Sequence, residues 1–76
     1  MWEKELEKRK AILASNIKSI RLEKGLAQER LALESGVDRT LVSKIERQIA
    51  NPTLEILAKL AFTLKVTVLT LLTEKR

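Results

Sequence analysis

Five polar side chains near the middle of the chain, Arg39, Thr40, Ser43, Lys44 and Arg47, interleave with the apolar Leu41, Val42 and Ile45. At helical spacing the apolar three gather on one face and the polar five lie opposite. The polar set holds two guanidiniums, an ammonium and two hydroxyls, with no carboxylate among them. It can donate hydrogen bonds and carry positive charge, but it contains no general base. Short polar and basic residues on a helix can enter the ~12 Å major groove of a DNA duplex. There a guanidinium makes two hydrogen bonds to guanine O6 and N7, worth about 1–3 kcal/mol of discrimination. Arg39 opens the segment and is the leading candidate for base contact. Thr40, Ser43 and Lys44 follow; Ser43 and Lys44 suit a base edge or a phosphate equally.

Other chemistries lack their residues. The 76-residue chain has no Cys and no His, which removes disulfides, thiolate nucleophiles and the commonest general base and metal ligand. Gly25 and Gly36 are the only glycines, too few for a phosphate-cradling loop. An enzyme is therefore the weakest class, and no cofactor, metal or small-molecule ligand is expected. Lys and Arg total 15 against 10 acidic residues, so the net charge of +5 favours an anionic partner. Met1-Trp2-Glu3-Lys4-Glu5 lacks the apolar stretch of a signal peptide. The run Val66 to Leu72 falls far short of the ~20 residues a membrane span needs. The expectation is a cytoplasmic protein with double-stranded DNA as partner.

The elements that must hold the polar face are helical. Leu, Ala, Lys, Glu and Arg dominate, and Gly25, Gly36 and Pro52 cut the chain into four blocks. The first runs from about Glu3 to Lys24, with Trp2, Leu6, Leu13, Ile17 and Ile20 on an apolar face. Glu5 with Arg9, and Glu7 with Lys10, can pair across a turn. The second covers Gln28 to Ser35. The third follows Asp38, whose carboxylate suits an N-cap. Ser35-Gly36-Val37-Asp38 between them makes a helix-turn-helix, with Gly36 supplying positive φ and Val37 an apolar plug. Thr53 caps the fourth block, where Leu54, Leu57, Ala58, Ala61, Phe62 and Leu64 form a broad stripe. Thr67 caps a short fifth helix. The whole, residues 1–76, reads as one domain, with 1–15 extending the first helix and 73–76 a flexible tail.

Three stretches carry a resemblance. Ile17-Lys18-Ser19-Ile20-Arg21-Leu22-Glu23-Lys24-Gly25-Leu26-Ala27-Gln28-Glu29-Arg30-Leu31-Ala32 resembles the opening of the phage Cro and repressor-type (XRE-like) helix-turn-helix family. Ser35 to Arg47 resembles its turn and recognition helix, and Asn51-Pro52-Thr53-Leu54 with the residues to about 72 matches the remainder. Asp38-Arg39-Thr40 and the size also resemble restriction-modification controller proteins. The resemblance implies an all-α, five-helix, lambda-repressor-like DNA-binding domain. It implies that Gln28 holds a phosphate at the start of the second helix, with Arg47 and Lys18 as further phosphate contacts. It also implies an ion pair between Arg21 and Glu46 that locks the first helix to the third. Val66, Val68, Leu69 and Leu72 show more apolar surface than one short helix hides, and the family dimerises through this region. A homodimer is expected to form through them.

Three positions depart from the family pattern. Ala27 stands where Ser or Thr caps the second helix, Gln48 where Gly ends the third, and Ala50 where many relatives carry a basic residue. The expected function is regulation of transcription by a homodimer on an operator with inverted-repeat half-sites. The alternative is an antitoxin-like protein-interaction module that uses residues Trp2 to Ala14.

Overall fold

Gly25 and Gly36 end the first two helices with one hydrogen-bond pattern, and two residues that are not glycine repeat it. In the computed structural model, which describes residues 1–75, five helices run in order: α1 Trp2–Glu23, α2 Gln28–Ser35, α3 Arg39–Glu46, α4 Leu54–Leu64 and α5 Val68–Leu72. Among the described residues there is no strand. After α1 the Gly25 amide donates to the Leu22 carbonyl and the Leu26 amide reaches back to Arg21. Gly36 and Val37 repeat this after α2, Gln48 and Ile49 after α3, and Lys65 and Val66 after α4. The turn needs a left-handed residue, with φ of 67° at Gly25, 70° at Gly36, 65° at Gln48 and 61° at Lys65. Gln48 thus stands in for the glycine, and α3 ends where a glycine would have ended it.

The helix starts follow side-chain chemistry. Asp38 accepts from the Thr40 amide at 2.8 Å, Thr53 from Ile56 at 3.2 Å and Thr67 from Thr70 at 3.1 Å. Ala27 has the extended backbone of an N-cap but no side chain to accept with, so the first amides of α2 remain uncapped.

Every helix sends a residue to one core: Ile17 from α1, Leu31 from α2, Val42 and Ile45 from α3, Leu60 and Leu64 from α4, and Leu71 from α5. Each buried side chain of this size is worth about 1.5–3 kcal/mol. Val37 tucks partly under α2 and α3, as a plug in the turn should. α1 is a single continuous helix of 22 residues, about 33 Å long at 1.5 Å per residue. It spans nearly the whole 36 Å long axis of the molecule. The extension is therefore regular helix, braced by Glu5–Arg9 at 2.6 Å and Glu7–Lys10 at 3.6 Å.

Two expectations need correcting. Trp2 leaves the apolar face and is mostly exposed, because α1 there projects past the elements that cover Leu13 and Ile17. Leu54, Ala58 and Phe62 do not join the core stripe of α4. They sit four residues apart on a second, exposed face, while Leu57, Leu60, Ala61 and Leu64 take the buried one. Residues 73–75 of the expected tail are exposed and touch α1 at two points: Asn16 donates to the Thr73 carbonyl at 2.9 Å and Lys75 to Ser19 Oγ at 3.2 Å. Arg76 lies outside the described residues.

Candidate nucleic-acid interface

α3 turns Val42 and Ile45 into the core and leaves the opposite side open. Arg39, Thr40, Ser43 and Arg47 line one shallow surface depression of about 240 Å³ there. Lys44 is exposed on the same helix but does not line it. Lys18 is exposed one turn before Arg21 on α1, also outside the depression. Among the described residues, no carboxylate lies within ion-pair distance of Arg39, Lys44, Arg47 or Lys18. Asp38, the neighbour of Arg39, is engaged in its cap, and Glu34 pairs with Arg30 at 2.6 Å. The guanidinium of Arg39 therefore faces solvent with its donors free.

Behind this face sits a polar clamp. Arg21 Nε donates to Glu46 Oε2 at 2.7 Å and Arg21 Nη2 to Glu46 Oε1 at 3.0 Å, a two-point contact with side chains only 9% and 5% exposed. Arg21 Nη1 also donates to the Leu26 carbonyl at 2.8 Å. Gln28 Nε2 completes the set by donating to Glu46 Oε1 at 3.0 Å. One carboxylate at the end of α3 is thereby tied to α1, to the α1–α2 turn and to the start of α2. Two-point guanidinium–carboxylate contacts are strong and directional, so the clamp fixes the angle at which α3 presents its outer face.

The same geometry gives Gln28, expected at a phosphate, a partner within the protein. Its amide nitrogen donates to Glu46 Oε1. What α2 still offers is its uncapped first-turn amides, which make a helix start attractive to anions. Ala50 is buried in the core, so no side chain from this position serves the outer surface.

The residues expected at a dimer contact divide. Leu69 is 75% exposed, whereas Val66, Val68 and Leu72 are partly buried against the molecule's own core. Sequence reasoning missed Phe62 and Leu54, which are 85% and 74% exposed on α4, packed beside α5. It also missed Asn16 and Arg9. Asn16 is a buried amide on α1 that donates to the Thr70, Leu71 and Thr73 carbonyls, and Arg9 Nη1 donates to the Leu72 carbonyl at 2.9 Å. Among the described residues no cluster of acidic side chains is placed to hold a metal, and no helix is long and apolar enough to cross a membrane.

Two short helices about a Gly36 turn, with an outward polar face and an inward clamp, define a helix-turn-helix domain of the DNA-binding kind. The helix-turn-helix family model HTH_3 matches residues 17–71, and the chain belongs to that family. A hypothetical transcription factor of Neisseria meningitidis is 44% identical over 57 residues, which cover 75% of this chain and 54% of that protein. The chain thus spans about half the length of that relative. Control protein C.SmaI of Serratia marcescens is 44% identical over 66 residues, covering 87% of this chain and 79% of that protein. The crystal structure of SinR, a master regulator of biofilm formation solved in complex with DNA, superposes with a TM-score of 0.77 at 39% identity. That match covers 80% of this chain and 98% of the SinR chain.

Proposed function

We propose that this chain is a sequence-specific DNA-binding regulator of transcription, acting in the cytoplasm as a homodimer on an inverted-repeat operator. The observation that carries the reading is the depression formed by Arg39, Thr40, Ser43 and Arg47, held outward by the buried Arg21–Glu46 contact. Arg39, Thr40, Ser43 and Lys44 read base edges in the major groove. Arg47, Lys18 and the first-turn amides of α2 hold phosphates and set the register. Each neutralised phosphate contributes a slope of about −0.9 to the dependence of log affinity on log salt. The likeness to control protein C.SmaI supports a more particular role, control of a restriction-modification system.

The exposed line of Leu54, Ala58 and Phe62 on α4 supports dimerisation, with Leu69 exposed on the adjoining α5. Apolar surface of this kind is removed from water when two copies meet about a twofold axis. Two α3 helices then enter successive major grooves about 34 Å apart. The test is selection of bound duplexes from a random pool at ~0.15 M salt, where weak nonspecific binding is suppressed. Enrichment of an inverted repeat with half-sites one helical turn apart is the expected result. A folded protein that enriches no sequence overturns the reading.

A further inference from the structure

We infer that the N-terminal half of α1 is an internal brace for α5, and that Arg9 is the positioning residue through which it sets the surface where two copies pair. The inference rests on the homodimer reading above. α5 has only five residues, Val68–Leu72. Isolated helices shorter than about 12 residues are marginal in water, so α5 depends on ties to other elements. Its four C-terminal carbonyls have no partner within the helix itself. Three of them are received by α1, and Thr73 Oγ1 donates to the fourth, that of Leu69, at 2.6 Å. Asn16 Nδ2 lies 3.2 Å from the Thr70 carbonyl, 3.0 Å from Leu71 and 2.9 Å from Thr73, and Arg9 Nη1 lies 2.9 Å from Leu72. A guanidinium at a helix C-terminus also meets the negative end of the helix dipole.

Arg9 is itself aimed. Its Nε donates to Glu5 Oε2 at 2.6 Å, which leaves Nη1 directed at α5. The Arg9 guanidinium in turn holds the Glu5 carboxyl below the ordinary carboxylate range. Glu5 and Arg9 both belong to the extension before the family match at residue 17. Asn16 holds the carbonyl end of α5 from one site on α1, beside the buried Leu71 and the Lys75–Ser19 bond that follows the helix. Arg9, seven residues earlier and two turns along α1, adds a second and resists rotation of the short helix about the first. The side chain that this orientation governs is Leu69, the most exposed apolar residue of α5.

The test compares the unaltered 76-residue chain with Arg9→Ala and Arg9→Lys on two duplexes, one inverted repeat and one isolated half-site, with sedimentation of the free proteins. Arg9→Ala is expected to weaken self-association and inverted-repeat binding about tenfold, as the loss of one charge-assisted hydrogen bond implies, with half-site binding unchanged. Arg9→Lys keeps a cationic donor at the helix end and is expected to recover part of the loss. Hydrogen exchange should quicken in α5 and not in α2 or α3. An Arg9→Ala chain that dimerises and binds as the wild type does overturns the inference alone. Equal losses on both duplexes also overturn it, since Arg9 would then support the fold in general. A wild-type chain that binds the inverted repeat only as independent monomers overturns the homodimer reading and this inference with it, and is recognised without any variant.

Discussion

Gln28 Nε2 stands 3.0 Å from Glu46 Oε1, so the start of α2 and the end of α3 meet on the carboxylate that Arg21 grips from α1. Arg21→Ala leaves Glu46 buried without its cation and is expected to cost about 3–5 kcal/mol in urea unfolding. Replacing both partners together, Arg21→Met with Glu46→Leu, should be far milder than the sum of the single changes. Gln28→Ala removes one hydrogen bond to a charged acceptor at a half-buried site and should cost about 1.5 kcal/mol. A Gln28→Ala chain as stable as the wild type would return that side chain to the phosphate role.

Arg39→Ala should keep the fold, because the side chain is exposed and touches no partner in the protein. Its effect belongs to recognition. Base preference at one position of each half-site is expected to relax by about 1–3 kcal/mol. Competition between single-base operator variants measures this, and unchanged preference at every position would remove Arg39 from the base-reading set.

Three helix ends carry residues poorly matched to their backbone: Ala27 before α2, and the left-handed Gln48 and Lys65 after α3 and α4. Ala27→Thr supplies the missing acceptor at the start of α2 and is expected to stabilise by about 1 kcal/mol. Gln48→Gly relieves the left-handed strain after α3, about 1–2 kcal/mol, and the greater freedom of glycine in the unfolded chain offsets part of it, so a net gain of about 0.5–1 kcal/mol is expected. The two sites serve different helix ends, so their gains should add in thermal unfolding.

Phe62→Glu places a charge on the exposed line of α4 without touching the core. The folded monomer should keep its melting temperature at low concentration, while sedimentation shifts from dimer to monomer. Affinity for the inverted repeat should fall toward that for a half-site.

Local chemistry made most of the fold legible. Gly36, Asp38, Thr53 and Thr67 announce turns and caps through their own side chains, and each acts where it stands. Gln48 does not announce its turn. Its left-handed backbone answers the Ile45 and Lys44 carbonyls that the turn must satisfy, which is a demand of the surroundings. The two faces of α4 could not be told apart from residue type, because Leu54 and Phe62 are as apolar as Leu57 and Leu60. Only the positions of α2 and α5 decide which face is covered. The polar face of α3 was readable because helical spacing alone separates it from Val42 and Ile45. The clamp on α5 left one local trace: Asn16, a weak helix former in the middle of a strong helix. Its acceptors lie 54 to 57 residues away, beyond any local signal.

That separation has a consequence for how the molecule comes into being. Arg9 and Leu72 are 63 residues apart, and closing so long a loop is slow compared with forming α2 and α3. The α2–α3 unit is closed by contacts near in sequence, so the tie of α1 to α5 is among the last parts of the domain to form.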